Sequence, residues 1–183
     1  MRILFGTGNP GKLREVQALF GALDHEVEQL KDEYPEIQAD TLEEVVIAGL
    51  EWLWNRHNVP IIIDDSGLFI ETLKGFPGVY SAYVFKTLGC RGVLKLLEGD
   101  ENRTAEFRCC AGYVDANGKI ITRSGTSPGR IIHEMRGTGG FGYDPIFVPD
   151  GMEKTFAELE LDIKNRISHR GMAFAMLAKA MKE

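Results

Sequence analysis

The sequence is poor in cysteine, with three in 183 residues, at positions 90, 109 and 110. An odd number without metal-type spacing excludes a disulfide framework and a cysteine zinc site. It points to reduced thiols in a cytoplasmic protein. Cys109 and Cys110 are neighbours on a predicted strand, so they face opposite sides of it. Basic residues are in the minority, 21 against 27 acidic, for a formal net charge of −6. Duplex nucleic-acid binding needs a basic footprint, so no nucleic-acid partner is expected; a small anion in a local basic pocket remains open. Long apolar runs are also missing. Met1 to Phe5 gives way at once to glycine, which is too short for a membrane span or a secretory leader and reads as a buried opening strand. No repeat, low-complexity tract or linker divides the chain, so residues 1–183 are expected to form one domain without membrane attachment.

What is present is a globular balance, 44% hydrophobic and 26% charged. Arg2 to Gly6 reads as a strand, and Asn9-Pro10 as the cap and first turn of a helix running to about Phe20. A second strand lies near His25 to Leu30. Thr41 opens a helix to about His57, with apolar residues at 42, 45, 46, 50, 53 and 54. Ile61-Ile62-Ile63 is a short apolar run typical of a central strand. Arg103 to Val114 and Ile120 to Ser127 form a predicted hairpin around Ala116-Asn117-Gly118. A glycine-rich loop, Gly137 to Gly142, precedes a strand at Ile146 to Val148, and a last helix runs from about His169 to Met181. The pattern predicts an α/β fold, an elongated mixed β-sheet with helices packed on it.

Gly6-Thr7-Gly8-Asn9-Pro10-Gly11-Lys12 matches two phosphate motifs by spelling. It fails as a P-loop because Leu13 stands where Ser or Thr must hold magnesium. It fits the dinucleotide fingerprint GxGxxG, with Glu26 or Glu28 as the distal acid, but nothing later supplies hydride-transfer chemistry. The general reading is a phosphate cradle: backbone N–H groups at a helix start, side-chain donors from Thr7 and Asn9, and the charge of Lys12.

Asp64-Asp65-Ser66-Gly67-Leu68 places two carboxylates where the apolar strand is expected to end. Adjacent acids there are costly without a cation, and Mg²⁺ suits carboxylate oxygens together with substrate phosphates. Glu36 lies in a preceding loop; Glu44 has capping-box spacing from Thr41. Phe141, flanked by glycines in Phe141-Gly142-Tyr143-Asp144-Pro145, can offer a ring face to a base. Lys164, His169 and Arg170 crowd the start of the last helix, at the wrong end of its dipole, and an anionic ligand would relieve that misfit.

Taken in order, these segments, with Gly75-Phe76-Pro77-Gly78, Lys164-Asn165 and Ser168-His169-Arg170, resemble the inosine triphosphate/xanthosine triphosphate pyrophosphatase family, in an archaeal-like short form. The resemblance implies two lobes on the mixed sheet with a cleft between them, a homodimer, and Mg²⁺ dependence. It implies that Thr7, Gly8, Asn9, Pro10, Gly11 and Lys12 bind the triphosphate, joined by Ser66. It makes Asp65 the general base and a metal ligand, and Glu36 a second metal ligand; Glu44 and Asp64 are further metal candidates. Phe141, Gly142, Tyr143, Asp144, Lys164, His169 and Arg170 match nucleotide-binding positions. One segment departs. The family's Glu-Asn-Ala-x-x-Lys is here Glu44-Val45-Val46-Ile47-Ala48-Gly49, so no phosphate contact carries over from positions 45 and 49.

The expected reaction is Mg-dependent hydrolysis of ITP, dITP or XTP to the monophosphate and pyrophosphate. The triphosphate would lie between Lys12 and the basic cluster, with Asp65 acting on the attacking water. A 6-oxo base offers an acceptor to His169 and Arg170, where adenine offers a donor. The family role so implied is to keep deaminated purines out of DNA and RNA. Modified pyrimidine triphosphates are the alternative substrates, and a non-catalytic nucleotide sensor is the alternative function.

Overall fold

A computed structural model of the chain describes residues 2–182. The elements are β1 (Arg2–Gly6), α1 (Pro10–Gly21), β2 (Glu26–Leu30), α2 (Leu42–His57), β3 (Ile61–Ile70), α3 (Ser81–Leu96), β4 (Thr104–Val114), β5 (Ile120–Ile131), β6 (Phe147–Pro149), α4 (Leu161–Ile167) and α5 (His169–Ala180). They build one open mixed sheet in the order β2-β1-β3-β4-β5-β6. β1 is parallel to β2 and β3; the β3–β4, β4–β5 and β5–β6 pairs are antiparallel. The α/β class and the mixed sheet are as the sequence predicts.

Local chemistry explains the starts and stops. Asn9 caps α1, its Oδ1 accepting from the amides of Gly11 and Lys12, and Pro10 fills the first turn without losing a needed N–H. Thr41 and Glu44 form a reciprocal capping box on α2, which ends at Asn58 in the left-handed conformation. Ser168 caps α5 by accepting from the Gly171 amide. The hairpin turn is closed by Asp115, whose Oδ1 accepts from the amides of Asn117 and Lys119.

β3 departs most from expectation. It does not end at Ile63 but continues through both acids to Ile70, every residue paired with β4. β1 reaches only Ile61 and Ile62 before it turns away at Gly6. From Ile63 the β1-side edge of β3 has no strand beside it until Leu68, where Ser81 and then the Phe69–Pro77 bridge cover it, and a cleft opens in between. Two unanticipated helices also form. α3 is broken internally at Gly89, whose backbone (φ 63°, ψ −172°) is not helical, and that break obscures its periodicity. α4 is only seven residues long, below the length at which a helical pattern can be read.

Three apolar clusters frame the cleft. On one face of the sheet, Phe5, Phe20 and Phe174 meet edge to face beneath α1 and α5, around Ile62. On the other, Val46, Leu50 and Leu53 of α2 cover Ile61 and Ile63. Further along, Leu68, Val84, Val93, Phe107, Phe147 and Phe156 form a second lobe with α3 and the segment after β5. Burying each such side chain contributes about 1.5–3 kcal/mol, which holds the rims of the cleft in fixed relation. No helix among the described residues is long and apolar enough to cross a membrane.

Candidate active site

The cleft encloses about 850 Å³ and runs from the β1–α1 turn to the second lobe. Of the residues singled out by sequence, Thr7, Gly8, Asn9, Lys12, Glu36, Asp64, Asp65, Ser66, Phe141, Gly142, Tyr143, Asp144, His169 and Arg170 line it. Gly11 and Lys164 are buried behind its wall, and Pro10 is exposed and does not line it. Glu44 lines a different depression, on the outer side of α2, and its carboxylate is taken by the Thr41 amide and hydroxyl. The expectation that Glu44 could hold the metal is corrected on that geometry.

The glycine turn is less open than its spelling suggests. Asn9 Oδ1 takes the Gly11 and Lys12 amides at 2.8 and 3.2 Å, and Thr7 Oγ1 takes the Asn9 amide at 3.1 Å. Those N–H groups serve the helix cap rather than a ligand. Thr7, Gly8 and Asn9 line the cleft, and the Gly8 amide, the Thr7 hydroxyl and the Asn9 side-chain NH₂ donate to no group among the described residues. Gly11 is required for another reason: a Cβ there would meet the Phe141 ring at 2.3 Å.

Behind the wall lies a buried ion network. Arg170 Nη1 donates to Glu15 Oε2 at 2.7 Å, its Nε to Asp64 Oδ2 at 3.0 Å, and its Nη2 to Ser66 Oγ at 2.8 Å. Lys164 Nζ donates to Glu15 Oε1 at 2.6 Å and to Asp144 Oδ2 at 2.5 Å. Lys12 Nζ lies 3.3 Å from Asp64 Oδ2. The carboxylates Glu15, Asp64 and Asp144 thus balance the cations Lys12, Lys164 and Arg170. An anionic ligand is therefore not what relieves the basic start of α5; Glu15, Asp64 and Asp144 do so. Glu15 sits in α1 among ordinary helix-forming residues and carries no motif, so no sequence signal marks it. Burial would raise the Asp64 and Glu15 carboxyls, but Lys12 and Arg170 on Asp64, and Arg170 and Lys164 on Glu15, outweigh it and hold both below the usual range. At Asp144 burial wins over Lys164, and its carboxyl is raised.

Asp64 and Asp65 point to opposite faces of β3 and have different fates. Asp64 joins the ion network on the α1–α5 face, where Cys109 Sγ also donates to it at 3.6 Å. Asp65 lies on the α2 face without a cation bound to it. Burial, with the charges of Asp64 and Glu36, overcomes the pull of Lys12 and lifts its carboxyl to about 6. Asp32, Glu33 and Glu36 line the same end of the cleft, and so does Tyr34, which no motif announced.

The fit to a divalent ion is partial. Among the described residues no three His, Cys, Asp or Glu side chains converge closely enough to hold a metal by themselves. Asp65 and Glu36 supply carboxylate oxygens at one end, and Asp64 Oδ1 is buried without a hydrogen-bond partner. That donor set suits Mg²⁺ completed by phosphate oxygens and water, rather than a closed protein cage.

The other end of the cleft is aromatic. Phe85 meets Tyr143 edge to face at 5.2 Å, and the Tyr143 hydroxyl donates to the Ser81 carbonyl at 2.8 Å. His169 stacks on Phe107 at 4.6 Å, nearly parallel. Burial, reinforced by Arg170, Lys164 and Lys12, pushes the His169 pKa well below its ordinary value, so the ring is neutral; its Nδ1 has no protein partner. Phe141 is half-buried, its ring centroid 5.0 Å from Lys164 Nζ and 5.4 Å from Arg170 Cζ. No local signal marks Phe107, Phe85 or Ser81, which reach the site only through the pairing of β3 with β4 and the course of α3.

A profile of the Ham1 family matches residues 3–180. The dITP/XTP pyrophosphatase of Thermococcus kodakarensis is 55% identical over 183 residues, covering 100% of this chain and 98% of that protein. The dITP/XTP pyrophosphatase of Pyrococcus horikoshii is also 55% identical, over 100% of this chain and 97% of its own. Among solved structures, the Ham1 protein of Staphylococcus aureus superposes with a TM-score of 0.85 at 31% identity, and that of Coxiella burnetii with 0.86 at 32%. Each covers 100% of this chain and 98% of its own.

Proposed function

The chain belongs to the Ham1 family, and from that premise we propose that it hydrolyses dITP, ITP and XTP to the nucleoside monophosphate and pyrophosphate. One observation carries the reading. A single cleft joins a phosphate-sized turn with Lys12 at one wall, an uncompensated carboxylate at Asp65, and an aromatic end around Phe107, Tyr143 and His169. Two relatives, each 55% identical to this chain and matched over nearly their whole length, are named for this activity.

In this mechanism the triphosphate lies along the Thr7–Lys12 turn, met by the Gly8 amide, the Thr7 hydroxyl, the Asn9 amide group, Lys12 and the Ser66 hydroxyl. Mg²⁺, held by Asp65 and Glu36 with phosphate oxygens, would neutralise phosphate charge and acidify a bound water. Asp65 orients a water in line with the α-phosphorus and takes its proton as the oxygen attacks; the bond to the β-phosphate oxygen breaks and pyrophosphate leaves. Without the ion that carboxyl is lifted to about 6; the ion's charge would bring it down, so Asp65 serves more by placing the water than by basicity. Lys164 from behind the wall and Arg170 at the wall contribute by fixing Asp144, Asp64 and Ser66.

At the aromatic end, the base lies against Phe141 and Tyr143. The neutral His169 donates from Nδ1 to a 6-oxo oxygen; adenine presents an amino group there and leaves the donor unpaired. The protein acts as a homodimer that removes deaminated purines from the nucleotide pool. The deciding experiment measures pyrophosphate and monophosphate release from ITP, XTP, GTP and ATP, with and without Mg²⁺. Release of orthophosphate, or of nothing, would refute the proposal.

A further inference from the structure

Gly11 lies in the first turn of α1, buried, where helix propensity favours alanine. Its backbone does not take the left-handed conformation that would call for glycine. Its amide donates to Asn9 Oδ1 at 2.8 Å and so serves the helix cap, not a phosphate. Neither conformation nor the phosphate turn accounts for the missing side chain.

Phe141 accounts for it. A Cβ on Gly11 would lie 2.3 Å from Cδ1 of that ring and 2.8 Å from both Cε1 and Cγ, so the ring rests on the bare backbone of α1. Gly11 is one helical turn before Glu15, on the same face of α1. Glu15 binds Lys164 and Arg170, and those two cations also flank the ring, with Nζ and Cζ 5.0 and 5.4 Å from its centroid. The backbone of Phe141 is fixed too, its amide donating to Asp144 Oδ2 at 2.8 Å. Held through ring and backbone, Phe141 still lines the cleft and is only half-buried.

We propose that Gly11 is a positioning residue for base recognition: it is small so that Phe141 can seat its ring on α1 and offer the base a fixed platform. The proposal rests on the reading of the cleft as a nucleotide site. A ring already seated loses no rotamer freedom when the base arrives, so more of the stacking energy appears as affinity. A glycine that belongs to the phosphate turn by sequence thereby acts at the base end.

The test is calorimetric, with IMP and pyrophosphate as separate probes of the two ends. Gly11→Ala should weaken IMP binding by about 5–150-fold, the range for one lost base–aromatic stack, and leave pyrophosphate binding within about twofold. Phe141→Ala should weaken IMP similarly, and adding Gly11→Ala to it should cost less than about twofold more, because both changes remove one contact. Unaltered IMP affinity in Gly11→Ala overturns the proposal. Equal losses for IMP and pyrophosphate overturn it by returning Gly11 to the phosphate turn, and additive losses in the double variant overturn it by making the positions independent. Should Gly11→Ala alone not fold, the double variant, free of the clash, must fold; its failure also overturns the proposal. An unmutated protein that binds IMP but releases no pyrophosphate from ITP sinks the hydrolytic reading alone. One whose IMP affinity is indifferent to Phe141→Ala sinks the seat, whatever it hydrolyses.

Discussion

Glu15 and Arg170 lie 155 residues apart in the chain and meet at 2.7 Å, both almost wholly buried, between the first helix and the last. Their bond ties the phosphate-side turn to α5, and Lys164 on the second Glu15 oxygen ties in α4. Removing one partner of a buried pair leaves a charge without compensation, at about 3–5 kcal/mol. Glu15→Gln should therefore lower the thermal midpoint by roughly 6–20 °C, taking about 2–4 °C per kcal/mol for a protein of this size. A calorimetric shift under about 2 °C would show that the network does not hold the fold.

Asp65 stands outside that network. Asp65→Asn should reduce pyrophosphate release by about 10²–10⁴-fold, the usual contribution of a positioned base. Its thermal midpoint should not fall, because no ion pair is broken and the cost of burying a carboxylate raised to about 6 is removed. Near-normal turnover would remove Asp65 from the chemistry.

Chelation should separate function from folding in the same way. No metal cage is built into the described residues, so EDTA should abolish hydrolysis while far-UV circular dichroism and the melting temperature stay as they were. Unfolding by EDTA would point instead to a structural ion.

His169 sets a pH dependence of stability. Its folded pKa lies well below its ordinary value, so below about pH 6.5 the unfolded chain binds a proton that the folded chain refuses. Stability is therefore lost as pH falls through that range, by up to about 1.4 kcal/mol per unit. Asp65 works the other way, its raised carboxyl taking a proton in the fold near pH 6. Comparing the protein with His169→Phe cancels that term. The urea midpoint should fall more between pH 7.5 and 5 in the parent than in His169→Phe, and equal falls would refute the assignment.

The same substitution bears on base choice. His169→Phe removes the Nδ1 donor, so kcat/KM on ITP should drop by about 10–100-fold with little change on ATP. Unaltered discrimination between the two would place the selecting group elsewhere.

The amino-acid sequence by itself determined the α/β class, the capped starts of α1 and α2, the start of α5, and the small set of polar and aromatic residues that meet in the cleft. These are local matters: periodicity, cap chemistry and the unusual cost of Asp64-Asp65 after three isoleucines can all be read within a few residues. Only the tertiary structure decided how those residues divide. It sent Asp64 to the ion network and left Asp65 free, because alternate residues of a strand face opposite layers. It turned Lys164 and Arg170 from candidate phosphate ligands into buried braces, because Glu15, unmarked in its helix, lies across from both. It placed Glu44 outside the cleft and brought in Tyr34 and Phe107. Such partners are chosen by packing between segments far apart in the chain, and no local pattern records that choice.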